Sequence, residues 1–141
     1  MITLLSLVLF LIFIVLAGIH FNWVLGSTWG LEQSLPTGAN GEKFFTPGRF
    51  ASAIVGFGLT AFGIYYLLQT GLIDFDIPLW IGKYVQWIIP AIFLIRAIGD
   101  FKYAGFFKKI KGTEFAKADT KIFSPLCLFV GILGVLIATM M

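Results

Sequence analysis

Four apolar stretches of about twenty residues divide this chain of 141 residues. Crossing about 30 Å of hydrocarbon takes about 20 residues at the helical rise of about 1.5 Å per residue. The stretches predict membrane-spanning helices at about 2–21, 50–70, 79–98 and 122–140. Lys83 lies near the start of the third stretch, where a long side chain can extend to the interface. We therefore predict an all-α membrane protein, a four-helix transmembrane bundle that forms one domain over residues 1–141.

The composition supports a membrane protein and excludes most soluble classes. The chain is 59% hydrophobic and 12% charged, with a mean hydropathy of +0.97, whereas roughly a quarter of the residues of a soluble domain are charged. A soluble enzyme, a disordered tail and a nucleic-acid-binding module all fit poorly. The chain has one His and one Cys, His20 and Cys127. A disulfide within the chain and a cysteine-based zinc site are therefore excluded, and we expect no metal and no cofactor.

The basic residues predict how the bundle is oriented. We expect the first span to be retained, because it lacks the basic start and the cleavage site of a signal peptide. The first and third loops, with their helix ends, hold nine basic side chains, and the second loop holds only Lys83. The positive-inside rule then makes the first and third loops cytoplasmic and places both termini outside the cytoplasm.

Small residues on two spans predict close helix contacts. They follow helical spacing in the second and fourth spans: Ser52, Gly56, Thr60, Gly63, and Gly131, Gly134, Ala138. Such stripes let helix backbones approach closely in lipid. Packing within the bundle is the favoured interpretation, and a homodimer contact is the alternative. Pro90 predicts a kink in the third span.

Aromatic and basic residues predict contacts with the lipid headgroups. Trp23, Trp80 and Trp87 lie near predicted interfaces, as aromatic belts do. Residues 101–111 place aromatic and aliphatic side chains at i, i+3, i+4 and i+7, which predicts a short amphipathic helix in the interface. Its lysines would face anionic lipids, or a docking partner as the alternative; they are Lys102, Lys108, Lys109 and Lys111. Ser124 and Pro125 then look like the N-cap and first residue of the last span.

Polar residues gather at the predicted cytoplasmic ends of the spans. We predict a pocket there formed by His20, Glu32, Arg96, Asp100 and Asp119. Arg96 and Asp100 are four residues apart and can pair on one helix face. Ionisable groups at membrane depth are costly and often mark a site. A simple interfacial ion pair that closes the helix is the alternative interpretation.

A set of residues spread over the chain resembles a family of small bacterial integral membrane proteins that is catalogued only as a domain of unknown function. The resemblance implies four spans and a location in the bacterial inner membrane. It carries no activity and no catalytic residue. The residues that carry it are His20, Trp23, Gly26, Trp29, Pro36, Arg96, Gly99, Asp100, Phe101, Gly105, Phe106, Phe107, Lys108, Thr113, Phe115, Ala116, Asp119, Thr120, Ser124, Pro125, Leu126 and Cys127.

Three functional hypotheses follow from these observations. The first is a small bundle that binds or passes a small solute, ion or lipid through the polar pocket, where Arg96 would hold an anionic group and His20 would respond to pH. The second is a non-catalytic accessory subunit that docks a membrane partner or a second copy. The third is a membrane enzyme acting on a lipid or quinone, with His20 and Asp119 as the acid–base pair.

Overall fold

The structure, a computed structural model, describes residues 1–26, 49–99, 105–109 and 114–140. The described residues form helices and turns and contain no strand. Their helical elements are α1 (Ile2–Val24), α2 (Arg49–Gln69), α3 (Leu79–Ile98), α4 (Glu114–Ala118), a π-helical segment (Asp119–Phe123) and α5 (Ser124–Met140).

Four helices of the described chain are long and apolar enough to cross a membrane, the last of them counted from Ala116 to Met140. This confirms the predicted four spans, with α3 at its predicted bounds and α1 extended to Val24. Large apolar side chains are exposed along all four helices, as lipid-facing surfaces require. The chain is thus a multi-pass membrane protein.

The helices α1 and α2 pack as an antiparallel pair. At one end the Thr3 hydroxyl donates to the carbonyl of Thr70 at 3.2 Å. In the middle, the Phe13 side chain lies over Gly63, and near the other end the Phe21 ring lies over Gly56. The two glycines of the α2 stripe therefore face α1, because each admits an aromatic side chain close to the backbone.

The helices α3 and α5 form the second antiparallel pair. Leu94 packs over Gly131, and Pro90 packs over Gly134. A methyl group added at Gly134 would come within 2.8 Å of the Pro90 Cβ, so the ring fits only because position 134 has no side chain. The glycines of both stripes thus serve packing within the bundle. Pro90, where the sequence predicts a kink, lies inside α3, and the helix continues on both sides of it.

Tyr66 joins the two helix pairs. Its ring stacks on Phe13 of α1, with ring centroids 5.8 Å apart and the planes 6° from parallel. Its hydroxyl lies beside the Pro90–Gly134 contact, 3.1 Å from where a Cβ at Gly134 would stand. Phe13 in turn contacts Phe93 of α3 at 5.3 Å between centroids. The pairs therefore meet around one buried aromatic cluster. The C-termini of α1 and α3 lie at the same end of the bundle, which we call the Arg96 end.

The start of the last helix differs from the sequence prediction. Helical structure continues from α4 through the π-helical segment into α5, so Ser124 lies within it and does not cap it. The Ser124 N–H donates to the carbonyl of Asp119, five residues back. A proline ring clashes with the carbonyl four residues before it, here that of Lys121. The π-helical segment just before Pro125 has a wider turn than an α-helix, so the backbone ahead of the proline departs from α-helical geometry.

The predicted amphipathic helix at 101–111 is wrong over its described part. Residues 105–109 form turns and bends, and the rest of that range lies outside the described residues. Gly105 adopts a φ of +86°, a left-handed conformation that a helix does not contain. In this turn the Phe106 and Phe107 side chains are exposed, and the Lys108 side chain is buried.

Candidate functional site

A buried carboxylate, that of Asp119, organises the Arg96 end of the bundle. Its side chain is 0% exposed, and both of its oxygens are occupied. Oδ1 accepts a hydrogen bond from Arg96 Nη2 at 2.7 Å. Oδ2 accepts one from the Gly105 backbone N–H at 2.7 Å and lies 3.2 Å from Lys108 Nζ. Three donors from two chain segments, α3 and the 105–109 turn, therefore converge on one acid. We call Arg96, Gly105, Lys108 and Asp119 the Asp119 cluster.

Lys108 is the second buried charge of the cluster. Only 2% of its side chain is exposed. Besides Asp119, its ammonium donates to the carbonyl of Gly105 at 3.0 Å and to the hydroxyl of Thr120. An ammonium has three N–H donors, and all three have an acceptor here. Lys108 therefore holds the turn in place and has no remaining hydrogen for a ligand.

The turn at 105–109 folds back onto the end of α3. The Phe106 N–H donates to the carbonyl of Ala97 at 2.8 Å, which satisfies one of the carbonyls left open at a helix C-terminus. A Cβ at Gly105 would lie 2.3 Å from the carbonyl oxygen of Ile98. Glycine is thus required at position 105 for two reasons, the positive φ and the close backbone approach.

Arg96 is the member of the cluster that reaches the surface. Its side chain is 35% exposed, against 2% for Lys108 and 0% for Asp119. A guanidinium carries five donors in a planar fork that matches carboxylate and phosphate groups. Asp119 positions this fork through one of its nitrogens and limits its rotation.

Of the predicted pocket residues, the structure brings Arg96 and Asp119 together. Glu32 and Asp100 lie outside the described residues, so the proposed Arg96–Asp100 pair does too. His20 has separate contacts: its Nδ1 donates to the carbonyl of Leu16 at 2.8 Å, and its ring meets the edge of Trp23. Within the described part of the chain, the hydrogen-bond and ring contacts of His20 share no residue with those of Asp119, and both Asp119 oxygens already accept hydrogen bonds. The acid–base pair hypothesis gains no support from this geometry.

The predicted interfacial residues have different environments. Lys108, placed at the lipid interface from sequence, is instead buried in the cluster, because Asp119 stabilises its charge there. Lys109 is exposed, and Lys102 and Lys111 lie outside the described residues. Trp80 and Trp87 are exposed on α3, and Trp23 is half-buried at the end of α1.

Sequence reasoning missed the roles of Gly105 and Lys108. The i, i+4 rule indicates only Asp100, which lies outside the described residues, and it could not indicate the contact of Arg96 with Asp119, 23 residues away. Local spacing does not reveal a pair that only the packing of α3 against the π-helical segment creates. One available signal was Gly105 itself, because a glycine next to bulky aromatic residues often marks a turn.

The described residues contain no group of three or more His, Cys, Asp or Glu side chains that would hold a metal ion. A shallow, open depression lies on the last turns of α1 and is separate from the Asp119 cluster. Its lining comes from α1 and consists of Val15, Gly18, Ile19, Phe21, Asn22 and Leu25.

A family model matches residues 13–134, which include all four members of the Asp119 cluster; its description is "Protein of unknown function (DUF3995)". No curated protein and no solved structure matches the chain.

Proposed function

The chain belongs to the DUF3995 family, and we propose that it is a small membrane-embedded binding protein whose Asp119 cluster takes an anionic group. Its ligand is a small solute, ion or lipid that carries a phosphate or carboxylate. The observation that carries the proposal is the graded exposure of the cluster: Asp119 and Lys108 are buried, and Arg96 reaches the surface. The buried pair fixes the Arg96 side chain, which carries the positive charge of the cluster that lies nearest to the surface.

The charges around the cluster favour an anion over a cation. Arg96 and Lys108 both contact the single carboxylate of Asp119, and that carboxylate has no unoccupied oxygen. A cation would need acidic oxygens that this carboxylate does not offer. An anion can instead interact with the delocalised charge of the guanidinium plane, which a compact ammonium does not reproduce.

The same proposal places the Arg96 end at the cytoplasmic face of a bacterial inner membrane. Nine of the ten basic residues belong to the loops and helix ends on this side. The positive-inside rule relates such an excess to the cytoplasm. The ligand then binds from the cytoplasm or from the inner leaflet, and both termini lie on the opposite side.

Unfolding of the detergent-purified protein tests the proposal, with tryptophan fluorescence as the readout and with inorganic phosphate, glycerol 3-phosphate and phosphatidylglycerol as probes. We expect at least one of these anions to raise the unfolding temperature of the wild type, because a ligand that binds only the folded state stabilises it. Arg96→Lys keeps a charge beside Asp119 and removes the planar guanidinium, so we expect this variant to lose most of the increase in unfolding temperature that the anion produces.

Lys83→Gln is the matched control, since Lys83 is an exposed cation at the opposite end of the same helix. It should respond to the anions as the wild type does. The proposal fails if no anion stabilises the wild type, or if Arg96→Lys and Lys83→Gln respond equally.

A further inference from the structure

The buried positions of the last span change their spacing at the π-helical segment. Gly131 of α5 packs against Leu94 and so marks the side of the helix that faces α3. Ser124, which is 0% exposed, comes seven residues earlier and lies on the same side. Asp119, also 0% exposed, comes five residues before Ser124, and the positions from 120 to 122 between them are exposed. One side of an α-helix recurs every three or four residues, so the step of five shows that the π-helical segment adds one residue to a turn.

This added residue decides which side chain faces Arg96. Successive residues of an α-helix are rotated by about 100° around its axis. Counted back from Gly131 in α-helical steps of four, three and four, Thr120 would lie on the side that faces α3, and Asp119 would point about 100° away from it. In the structure Thr120 is exposed, whereas Asp119 is buried and lies 2.7 Å from Arg96 Nη2. The π-helical segment therefore places the carboxylate where an uninterrupted α-helix would place the threonine.

Pro125 gives a physical reason for the π-helical segment. It lies inside helical structure that continues from Glu114 to Met140. It has no N–H for the carbonyl of Lys121, and in α-helical geometry its ring would collide with that carbonyl. We infer that Pro125 is a positioning residue: it excludes the α-helical register ahead of it, holds the π-helical segment and so turns Asp119 toward Arg96. The inference goes beyond the proposed function, because it concerns how the Asp119 cluster is assembled and needs no ligand.

Thiol labelling of the detergent-purified protein measures this register. The chain has one Cys, Cys127, so single-cysteine variants are made in a Cys127→Ser background. Lys117 is exposed and follows the buried Ala116. In the α-helical register, the rotation of about 100° would bring position 117 to where position 116 now lies. Pro125→Ala supplies the missing N–H, so we expect it to slow the labelling of Lys117→Cys by a water-soluble maleimide about tenfold or more, since a buried thiol reacts only through local opening.

The matched control is Lys121→Cys. Position 121 would move to where the exposed Thr120 now lies. We therefore expect Lys121→Cys to be labelled at the same rate with and without Pro125→Ala. A proline that only stabilised the fold would give a different result, because its loss would speed labelling at both positions through local unfolding.

A deletion provides the rescue. Ile122 is 53% exposed, so its removal takes no side chain from the core. Deleting Ile122 together with Pro125→Ala removes the extra residue and leaves Asp119 four positions before Ser124, on the side that faces α3 in an uninterrupted α-helix. We expect this combination to restore the fast labelling of Lys117→Cys.

Each outcome decides the role of Pro125. Slower labelling at position 117, unchanged labelling at position 121 and rescue by the deletion support the inference. If Pro125→Ala leaves labelling at position 117 unchanged, the contacts of Asp119 hold the π-helical segment without the proline, and the inference is overturned. Faster labelling at both positions overturns it as well, because the proline then stabilises the fold without setting the register. None of these outcomes depends on a bound anion, so the proposed function is tested separately.

Discussion

Removing the Asp119 carboxylate should destabilise the protein by leaving the Lys108 charge buried without a negative partner and by removing the hydrogen bonds from Arg96 and Gly105. In the Asp119→Ala variant, Lys108, which is 2% exposed, keeps two neutral acceptors and loses its negative partner. Breaking a buried ion pair from one side costs about 3–5 kcal/mol. The hydrogen bonds from Arg96 and Gly105 are lost as well, and hydrogen bonds to a charged group contribute about 1.5–3 kcal/mol each, so we expect a loss at the upper end of that range or above it.

The physical cause can be separated from a simple loss of contacts by a second substitution. Lys108→Met replaces the ammonium with an unbranched apolar side chain of similar length. If the unpaired buried charge is part of the cost, Lys108→Met introduced into Asp119→Ala should restore about 1–2 kcal/mol of the free energy of unfolding, because no unpaired buried charge then remains.

Reversible unfolding in mixed micelles of a mild detergent and dodecyl sulfate, followed by tryptophan fluorescence, measures these differences. Lys109→Met in the Asp119→Ala background is the matched control, because Lys109 is exposed on the same turn, and it should restore nothing. A double variant with Lys108→Met that is less stable than Asp119→Ala alone would refute the reasoning.

Three further predictions use the same unfolding assay. Gly134→Ala should lower stability by about 1–3 kcal/mol, since overpacking costs this much and the new Cβ would lie 2.8 Å from the rigid Pro90 ring. Gly58→Ala is the control and should leave stability unchanged, because a Cβ at position 58 would have no atom within 4 Å. Tyr66→Phe should leave stability unchanged or raise it by about 1 kcal/mol, because the Tyr66 hydroxyl is buried with no hydrogen-bond partner among the described residues; a loss above that size would show that this hydroxyl has a partner. Gly105→Ala should be at least as destabilising as Gly134→Ala, since its Cβ would meet a backbone carbonyl at 2.3 Å at a positive φ; wild-type stability would mean that the turn does not pack there.

The sequence by itself determined the spans and the class of protein. Twenty uncharged residues in lipid must satisfy their own backbone hydrogen bonds, and a helix does so locally. The length and number of the helices therefore follow from composition along the chain. The small-residue stripes also predicted which faces meet, because close helix contact in lipid depends on residues such as Gly63 and Gly134.

Only the tertiary structure decided which polar groups pair. A local spacing rule can indicate only neighbours within a turn or two, whereas Asp119, which Arg96 contacts, comes from the next span. The same packing turned Lys108 from a predicted interfacial lysine into a buried one. A lysine is buried only where a carboxylate and further acceptors surround it, and these acceptors come from separate chain segments that the fold alone brings together.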